Sequence, residues 1–126
     1  MKEQTWQKRF SRILFVDDEP DLLAAASSLL RASGYEVASA QTAADAETHL
    51  SKGQFDVLMT DLTMPDCSGW DLALRSKELW PHKPVVLVTG WGLQLDTKQM
   101  NAGKVDGVLS KPFTLQELHQ TLDSLP

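Results

Sequence analysis

Residues 13–20 read ILFVDDEP, an apolar run that ends in three acidic residues and a proline. The run does not alternate with polar residues, as expected for a strand that is covered on both faces of a parallel sheet. A helical pattern follows it, with one apolar stripe formed by Leu22, Ala25, Ala26, Leu29 and Leu30. Pro20 suits the start of this helix and Gly34 suits its end. The segment therefore predicts a strand followed by a helix.

The same alternation of strand and helix continues along the chain. Residues 57–59 and 85–88 are two more unbroken apolar runs, and both predict buried strands. Residues 36–40 alternate in polarity and suit an edge strand, while residues 107–110 predict a short last strand. Five strands are expected in all.

Helix signals separate these strands. A second helix is predicted over about 42–52, because Gly53 follows directly and suits a helix end. Ser68, with Asp71 three residues later, predicts the cap of a third helix. Within residues 90–105 we expect a loop and a short fourth helix.

The last helix has the clearest start signal. Thr114 and Glu117 form a capping box, and Phe113 and Leu118 are placed to form a hydrophobic staple around it. Apolar residues then follow at helical spacing, at Leu115, Leu118 and Leu122.

Five strands that alternate with helices imply right-handed crossovers and a sheet with helices on both faces. This is the doubly wound α/β class, in which ligands bind beyond the carboxyl ends of the strands. The 126 residues fit one domain. We expect residues 12–126 to form it and residues 1–11 to form a tail or linker.

Composition narrows the classes of function. The net charge of −5 disfavours direct binding to a nucleic-acid backbone, and no apolar run approaches the length of a membrane-spanning helix. Cys67 is the only cysteine, so an intramolecular disulfide is excluded. A cytoplasmic protein is the default expectation.

Polar residues lie at the carboxyl ends of the predicted strands. Asp17 and Asp18 follow the first strand and Asp61 follows the run 57–59, while Thr89 and Lys111 close the last two strands. Three neighbouring carboxylates raise one another's pKa unless a cation lies among them. A hard divalent ion with oxygen ligands, such as Mg²⁺, resolves that conflict. The lysine and threonine would then supply donors to phosphoryl oxygens.

The motifs ILFVDDEP, DVLMTDLTMPDCSG, VVLVTG and LSKPF stand in the order and at the strand ends typical of one family. The chain resembles the receiver domains of two-component response regulators over nearly its whole length, from about residue 12 to residue 125. The resemblance implies a flavodoxin-like (βα)5 fold with a parallel sheet of order 2-1-3-4-5.

The resemblance also implies residue roles. Asp61 resembles the phosphoryl acceptor, Asp18 a direct Mg²⁺ ligand and Asp17 a ligand through water. Thr63 corresponds to the residue whose backbone carbonyl completes the metal site. The remaining two positions of the site are similar to a switch hydroxyl, Thr89, and to an ion-pair partner of the phosphate, Lys111. The bond from this lysine to Pro112 is expected to be cis.

A mechanism and partners follow from the same resemblance. The phosphoryl group would come in line from a phosphohistidine on a sensor histidine kinase or a histidine phosphotransfer domain, with Mg²⁺ as the cofactor. The expected role is that of a signalling domain rather than of an enzyme. Its output surface would be made by the fourth helix, fifth strand and fifth helix. The resemblance is compatible with a dimer. It does not identify a downstream effector.

The sequence departs from the family pattern at two places. Val108 lies three residues before Lys111, where the family usually has an aromatic switch residue. Thr89 is followed by Gly90 and then by Trp91, where alanine is commoner after the threonine. The segments GWGLQLD and VDGVLSKPF are more similar to receivers attached to hybrid sensor kinases than to those fused to DNA-binding domains.

Two other functions are compatible with these residues. A Mg²⁺-dependent phosphohydrolase of the haloacid dehalogenase type also forms an aspartyl phosphate, but such enzymes have a second acid two residues after the nucleophile, where this chain has Thr63. A receiver-like interaction module that is never phosphorylated would be compatible with Val108.

Overall fold

The computed structural model describes residues 11–62, 64–66, 68–90 and 105–125. Within these ranges strands and helices follow one another in the order β1 (Arg12–Val16), α1 (Pro20–Ala32), β2 (Glu36–Ala40), α2 (Ala43–Lys52), β3 (Val57–Asp61), α3 (Gly69–Leu79), β4 (Val85–Thr89), β5 (Gly107–Ser110) and α4 (Leu115–Asp123). The helix expected within residues 90–105 falls on residues outside the described part of the chain.

The five strands form one parallel sheet in the order β2-β1-β3-β4-β5. This is the order that the family resemblance implied. The three central strands are buried along almost their whole length, whereas β2 and β5 lie at the edges and are partly exposed. The unbroken apolar runs and the alternating run were therefore interpreted correctly, because a strand's polarity pattern reflects how many of its faces are covered.

The sheet separates two apolar clusters. Ile13 and Phe15 of β1 lie in one cluster with residues of α1 and of the C-terminal helix α4. Leu14 and Val16 lie in the other, with residues of α2 and α3. Successive side chains of a strand point to opposite faces, so this single strand contributes to both halves of the core. No helix in the described part of the chain combines the length and apolar character needed to cross a bilayer.

The predicted helix starts are confirmed in detail. Ser68 Oγ accepts from the backbone N–H of Asp71 at 3.2 Å. The capping box of α4 is complete, since Thr114 Oγ1 accepts from Glu117 N at 3.1 Å and the Glu117 carboxylate accepts from Thr114 N at 2.8 Å. Gly53 ends α2 in the left-handed conformation, at φ 66°. Local capping chemistry thus sets most of the helix boundaries.

The buried face of α1 is rotated by about one residue from the predicted apolar stripe, of which Ala26 and Leu30 are buried. The side chains that α1 buries are those of Leu23, Ala26, Ser27 and Leu30. Leu22 and Leu29 are half-buried and Ala25 is exposed, because these residues occupy the neighbouring face of the helix. They line a groove with Pro112 and Phe113 of the loop between β5 and α4. Part of the apolar surface of α1 is therefore directed away from the sheet.

The first residue of helix α3 lies in close contact with the end of β3. This residue, Gly69, donates its backbone N–H to the carbonyl of Leu62 at 2.7 Å. A Cβ atom at this position would overlap the carbonyl oxygen of Asp61 and lie 3.0 Å from Cα of Leu62. Both neighbours are backbone atoms, so they cannot move aside as a flexible side chain can. Glycine is required here by space.

Replacing Gly69 with alanine should lower the free energy of unfolding by about 1–3 kcal/mol, since the added methyl group forces backbone to shift. Alanine is the better helix former, so helix propensity alone would give the opposite sign. Urea unfolding followed by circular dichroism measures the difference.

Gly107→Ala is the matched control. Its Cβ would meet the side-chain atoms Leu125 Cδ2 at 3.2 Å and Thr121 Cγ2 at 3.4 Å, which can yield. We expect a smaller loss for this variant. Equal losses in the two variants would contradict the proposed backbone clash at Gly69.

Candidate functional site

Three carboxylates meet at the carboxyl ends of β1 and β3. Val16 pairs with Thr60 in the parallel register of these neighbouring strands, so the residues that follow lie side by side. Asp17, Asp18 and Asp61 each offer a carboxylate oxygen, and these oxygens all lie within 4.8 Å of one another. The prediction that these three acids lie together is confirmed. We refer to them below as the acidic cluster.

Asp17 is held by several contacts within the acidic cluster. Its side chain is fully buried, and its N–H donates to the carbonyl of Ala40 at 3.1 Å. One carboxylate oxygen accepts from the backbone N–H of Glu19 at 3.0 Å and the other accepts from the Lys111 ammonium at 3.0 Å. Both oxygens are therefore engaged, and the carboxylate is held in one orientation.

Lys111 brings a positive charge into the acidic cluster from the end of β5. Its Nζ lies 3.0 Å from Asp17 Oδ2 and 3.4 Å from Asp61 Oδ1, and only 13% of its side chain is exposed. Its own N–H donates to the carbonyl of Thr89 at 2.7 Å, and its bond to Pro112 is cis, as the resemblance implied. Lys111 is therefore part of the site rather than a solvated surface charge.

The protonation of Lys111 follows from this environment. Burial disfavours the ammonium and by itself would lower the pKa. The hydrogen bond and the charge of Asp17, together with the nearby Asp61, outweigh burial and raise the pKa above its ordinary value. Lys111 is therefore charged at neutral pH and offsets part of the negative charge of the acidic cluster.

The backbone around Asp61 is fixed by the adjacent strand. Asp61 is the last residue of β3 and is buried. Leu62, the next residue, donates its N–H to the carbonyl of Val88 at 3.2 Å, and Thr60 Oγ1 donates to the carbonyl of Asp61 at 3.0 Å. These bonds fix the backbone from which the Asp61 side chain extends. The carboxylate is therefore carried by a strand rather than by a loop.

The other predicted site residues divide into two groups. Thr89 is buried at the carboxyl end of β4, where it pairs with Ser110. Val108, at the position where the family has an aromatic residue, is half-buried and pairs with Leu87. Three other residues named in the analysis of the sequence, Thr63, Cys67 and Trp91, lie outside the described part of the chain.

The acidic cluster fits a small divalent cation. Two oxygens bound to one Mg²⁺ at about 2.1 Å lie no more than about 4.2 Å apart. The oxygens of the acidic cluster lie within 4.8 Å of one another, so at most a small inward movement of the carboxylates would let one ion bind them. Carboxylate oxygens are also the ligand type that Mg²⁺ prefers.

Two residues that support the site were missed at the level of sequence. Gly69 presses against the backbone of Asp61, and Asp66 joins the β3–α3 loop to α2 by accepting from the N–H of Ala43 at 2.8 Å. The glycine has a weak signal, since it follows the Ser68 cap. The contact of Asp66 spans 23 residues of sequence and has no local signal.

Known proteins resemble the chain in both sequence and structure. The response regulator receiver protein CpdR of Brucella abortus is 31% identical over 114 residues, which cover 90% of this chain and 95% of CpdR. The sensor histidine kinase RcsC of Escherichia coli strain K12 is 34% identical over 110 residues, or 87% of this chain. The chain spans only 12% of that kinase's length. The relatives thus include both a nearly stand-alone receiver and a segment of a larger kinase.

Solved structures give the same result. A response regulator receiver domain protein of Clostridium thermocellum has a TM-score of 0.80 and 32% identity, covering 90% of this chain and 91% of its own. The response regulator TrrA of Thermotoga maritima, solved with Mg²⁺ and BeF, has a TM-score of 0.77 and 25% identity, covering 92% and 99%. The family model described as "Response regulator receiver domain" matches residues 13–123. The chain therefore belongs to the response regulator receiver domain family, the aspartate-phosphorylated signalling domains of two-component systems.

Proposed function

We propose that the chain accepts a phosphoryl group on the carboxylate of Asp61, with Mg²⁺ bound at the acidic cluster. The donor is a phosphohistidine of a sensor histidine kinase or of a histidine phosphotransfer domain. One observation carries the choice of residue: Asp61 ends β3 within the acidic cluster, and its Oδ1 lies 3.4 Å from the Lys111 ammonium, which can pair with an incoming phosphoryl group. The side chain of Asp17 is fully buried, whereas 9% of the Asp61 side chain is exposed toward an incoming donor.

The proposed metal ligands are carboxylates of the acidic cluster and one backbone carbonyl. Asp18 and Asp61 would bind Mg²⁺ directly, Asp17 would bind it through water, and Thr63 would supply the carbonyl. Bound Mg²⁺ would neutralise negative charge between the carboxylate and the phosphoryl group. The relationship to TrrA, which was solved with Mg²⁺ and BeF, supports this assignment.

The transfer is a displacement at phosphorus. A carboxylate oxygen of Asp61 forms the new P–O bond while the P–N bond to the donor histidine breaks, and the electron pair of that bond passes to the imidazole nitrogen. The Lys111 ammonium pairs with phosphoryl oxygens and Thr89 donates its hydroxyl to them. Positioning and charge compensation supply most of the catalysis in such a step.

The product changes the charge of the site. An acyl phosphate adds about −1.5 to −2 charge and three strong acceptors. Lys111 and Thr89 are then drawn toward the phosphate, which biases the loops that carry them between two conformations. We propose that this change in the surface presented to a partner is the cytoplasmic signal, and that the chain is a signalling domain rather than an enzyme.

An apolar groove beside the site supports the proposal that the phosphodonor is a protein. Leu22, Ala25 and Leu29 of α1 line it on one side, and Pro112 and Phe113 line it on the other. Lys111 borders the same groove, so a helix that rests there would stand next to Asp61. The groove offers a phosphohistidine-bearing helix an apolar contact that a small phosphodonor cannot use.

With Mg²⁺ and acetyl phosphate, the wild-type chain should gain one phosphoryl group, and Asp61→Asn should gain none, because the amide is not a nucleophile. Intact-mass spectrometry counts the groups. The linkage should be base-labile and acid-stable, as an acyl phosphate is, and labelling should stop when a chelator removes Mg²⁺.

Asp56→Asn is the matched control for this substitution. Asp56 lies just before β3, and its carboxylate accepts from the N–H groups of Ser11 and Arg12 at 2.9 Å, far from the acidic cluster along the strand. This variant should label like the wild type. Equal labelling of the wild type and Asp61→Asn would refute the assignment, and no labelling of the wild type would favour an unphosphorylated interaction module.

Lys111→Met should make the stability of the domain depend on Mg²⁺. Without the ammonium, the buried Asp17 loses its cation, which costs about 3–5 kcal/mol. Mg²⁺ binding to the folded state should recover part of that loss, because a ligand that binds only the folded state stabilises it. Thermal unfolding with and without Mg²⁺ measures the effect, and phosphoryl transfer should be slower in this variant.

Lys77→Met provides the comparison. Lys77 pairs with Asp106 at 2.7 Å, and both side chains are less than one fifth exposed, but neither belongs to the acidic cluster. We expect a loss of stability that Mg²⁺ does not restore. Recovery of the two variants by Mg²⁺ to the same extent would show that the ion stabilises the domain elsewhere.

A further inference from the structure

The peptide group between Asp61 and Leu62 lies at the end of β3 and is bonded to β4 on one side. Asp61 pairs with Val88, and Leu62 N donates to the carbonyl of Val88 at 3.2 Å. The N–H and C=O of a trans peptide group point in opposite directions, because the group is planar. The carbonyl of Asp61 is therefore directed away from β4, toward the side of the sheet on which β1 lies.

The pairing of β1 with β3 stops just before this carbonyl. In the described part of the chain, the last pair of these two strands is Val16 with Thr60, one residue before Asp61. The next residue of the first strand's chain, Asp17, donates its N–H to the carbonyl of Ala40 in β2 at 3.1 Å. The carbonyl of Asp61 thus lies beyond the last pair of the β1–β3 ladder.

The side chain of Thr60 bonds this carbonyl instead of a neighbouring strand. Thr60 is fully buried, and its Oγ1 donates to the carbonyl of Asp61 at 3.0 Å. Gly69 covers the same carbonyl, since a Cβ atom there would overlap its oxygen. A buried carbonyl that loses its donor costs free energy, which rotation of the peptide group toward another donor would reduce. Thr60 Oγ1 and the N–H of Leu62 therefore hold opposite sides of one peptide group.

We propose that Thr60 is a positioning residue for phosphoryl transfer: its hydroxyl fixes the peptide group that follows Asp61 and so holds the Asp61 carboxylate beside Lys111. The inference rests on the proposed function, because it concerns the same phosphoryl acceptor. Asp61 Oδ1 lies 3.4 Å from Lys111 Nζ. Rotation of the peptide group would turn the Cα–Cβ bond of Asp61 and displace its carboxylate from the lysine. Phosphoryl transfer depends strongly on such positioning.

The test compares two substitutions of Thr60. Thr60→Val keeps the branched shape of the side chain and removes the donor, whereas Thr60→Ser keeps the hydroxyl and removes the methyl group. Val57→Ala is the control for a loss of stability, because Val57 is fully buried at the opposite end of the same strand. Urea unfolding measures the stability of each variant. Thr60→Ala provides the same comparison if the valine variant does not fold.

The rate of phosphorylation then separates positioning from stability. At saturating Mg²⁺ and acetyl phosphate, Thr60→Val should react roughly three- to tenfold more slowly than the wild type, the factor that corresponds to one hydrogen bond. Thr60→Ser should react within about twofold of the wild-type rate, because the donor is retained. Val57→Ala should also stay within about twofold, because its site is distant from the acidic cluster. Intact-mass spectrometry follows the initial rate of labelling.

The outcomes distinguish this inference from the proposed function. If the wild type is phosphorylated on Asp61 and Thr60→Val reacts equally fast, the hydroxyl positions nothing and the inference is wrong, while the proposed function stands. If Thr60→Ser is as slow as Thr60→Val, packing of the whole side chain is responsible, and the inference is wrong. If Val57→Ala is equally slow, the loss of stability explains the effect and again contradicts the inference. If the wild type gains no phosphoryl group, the proposed function fails, and with it the assigned role of Thr60.

Discussion

The mutual repulsion of three carboxylates at one edge of a buried sheet is the constraint on which the rest of the structure depends. Two unit charges about 5 Å apart repel by roughly 3 kcal/mol in a medium of effective dielectric constant 20. Asp17, Asp18 and Asp61 carry three negative charges when ionised, and Lys111 offsets one of them. The remaining charge of about −2 is what a divalent cation neutralises. The arrangement is therefore matched to Mg²⁺ in charge as well as in ligand type.

The fold makes this concentration of charge tolerable. β1, β3 and β4 are buried between two apolar clusters, so they hold the residues at their carboxyl ends in place without help from the metal. Backbone hydrogen bonds then fix the residues that follow the strands. Leu62 N donates to the carbonyl of Val88 in β4, and Gly69 allows α3 to start against the backbone of Asp61. Packing energy gained in the core offsets the electrostatic cost at the sheet edge.

The sequence predicted the features that depend on local chemistry or on strand order. Unbroken apolar runs identified the central strands, capping residues such as Ser68 and Thr114 identified helix starts, and strand ends identified the acidic cluster. Rotation of α1 was not predictable, because Ser27 occupies a buried position that polarity assigns to the surface. The bond from Asp66 to α2 joins residues far apart in sequence. Membership of the receiver family favours a phosphoacceptor domain over the phosphohydrolase alternative, which the residues alone left open.

The central claim is that the acidic cluster is one binding site for one divalent ion. Mn²⁺ is a paramagnetic substitute for Mg²⁺, and it broadens amide signals near the place where it binds. The account predicts that substoichiometric Mn²⁺ broadens the amides of Asp17, Asp18 and Asp61 first, that Asp18→Asn weakens the effect, and that excess Mg²⁺ reverses it. Broadening that instead begins at other acids, such as Glu36 or Asp45, or that does not respond to Mg²⁺, would contradict it.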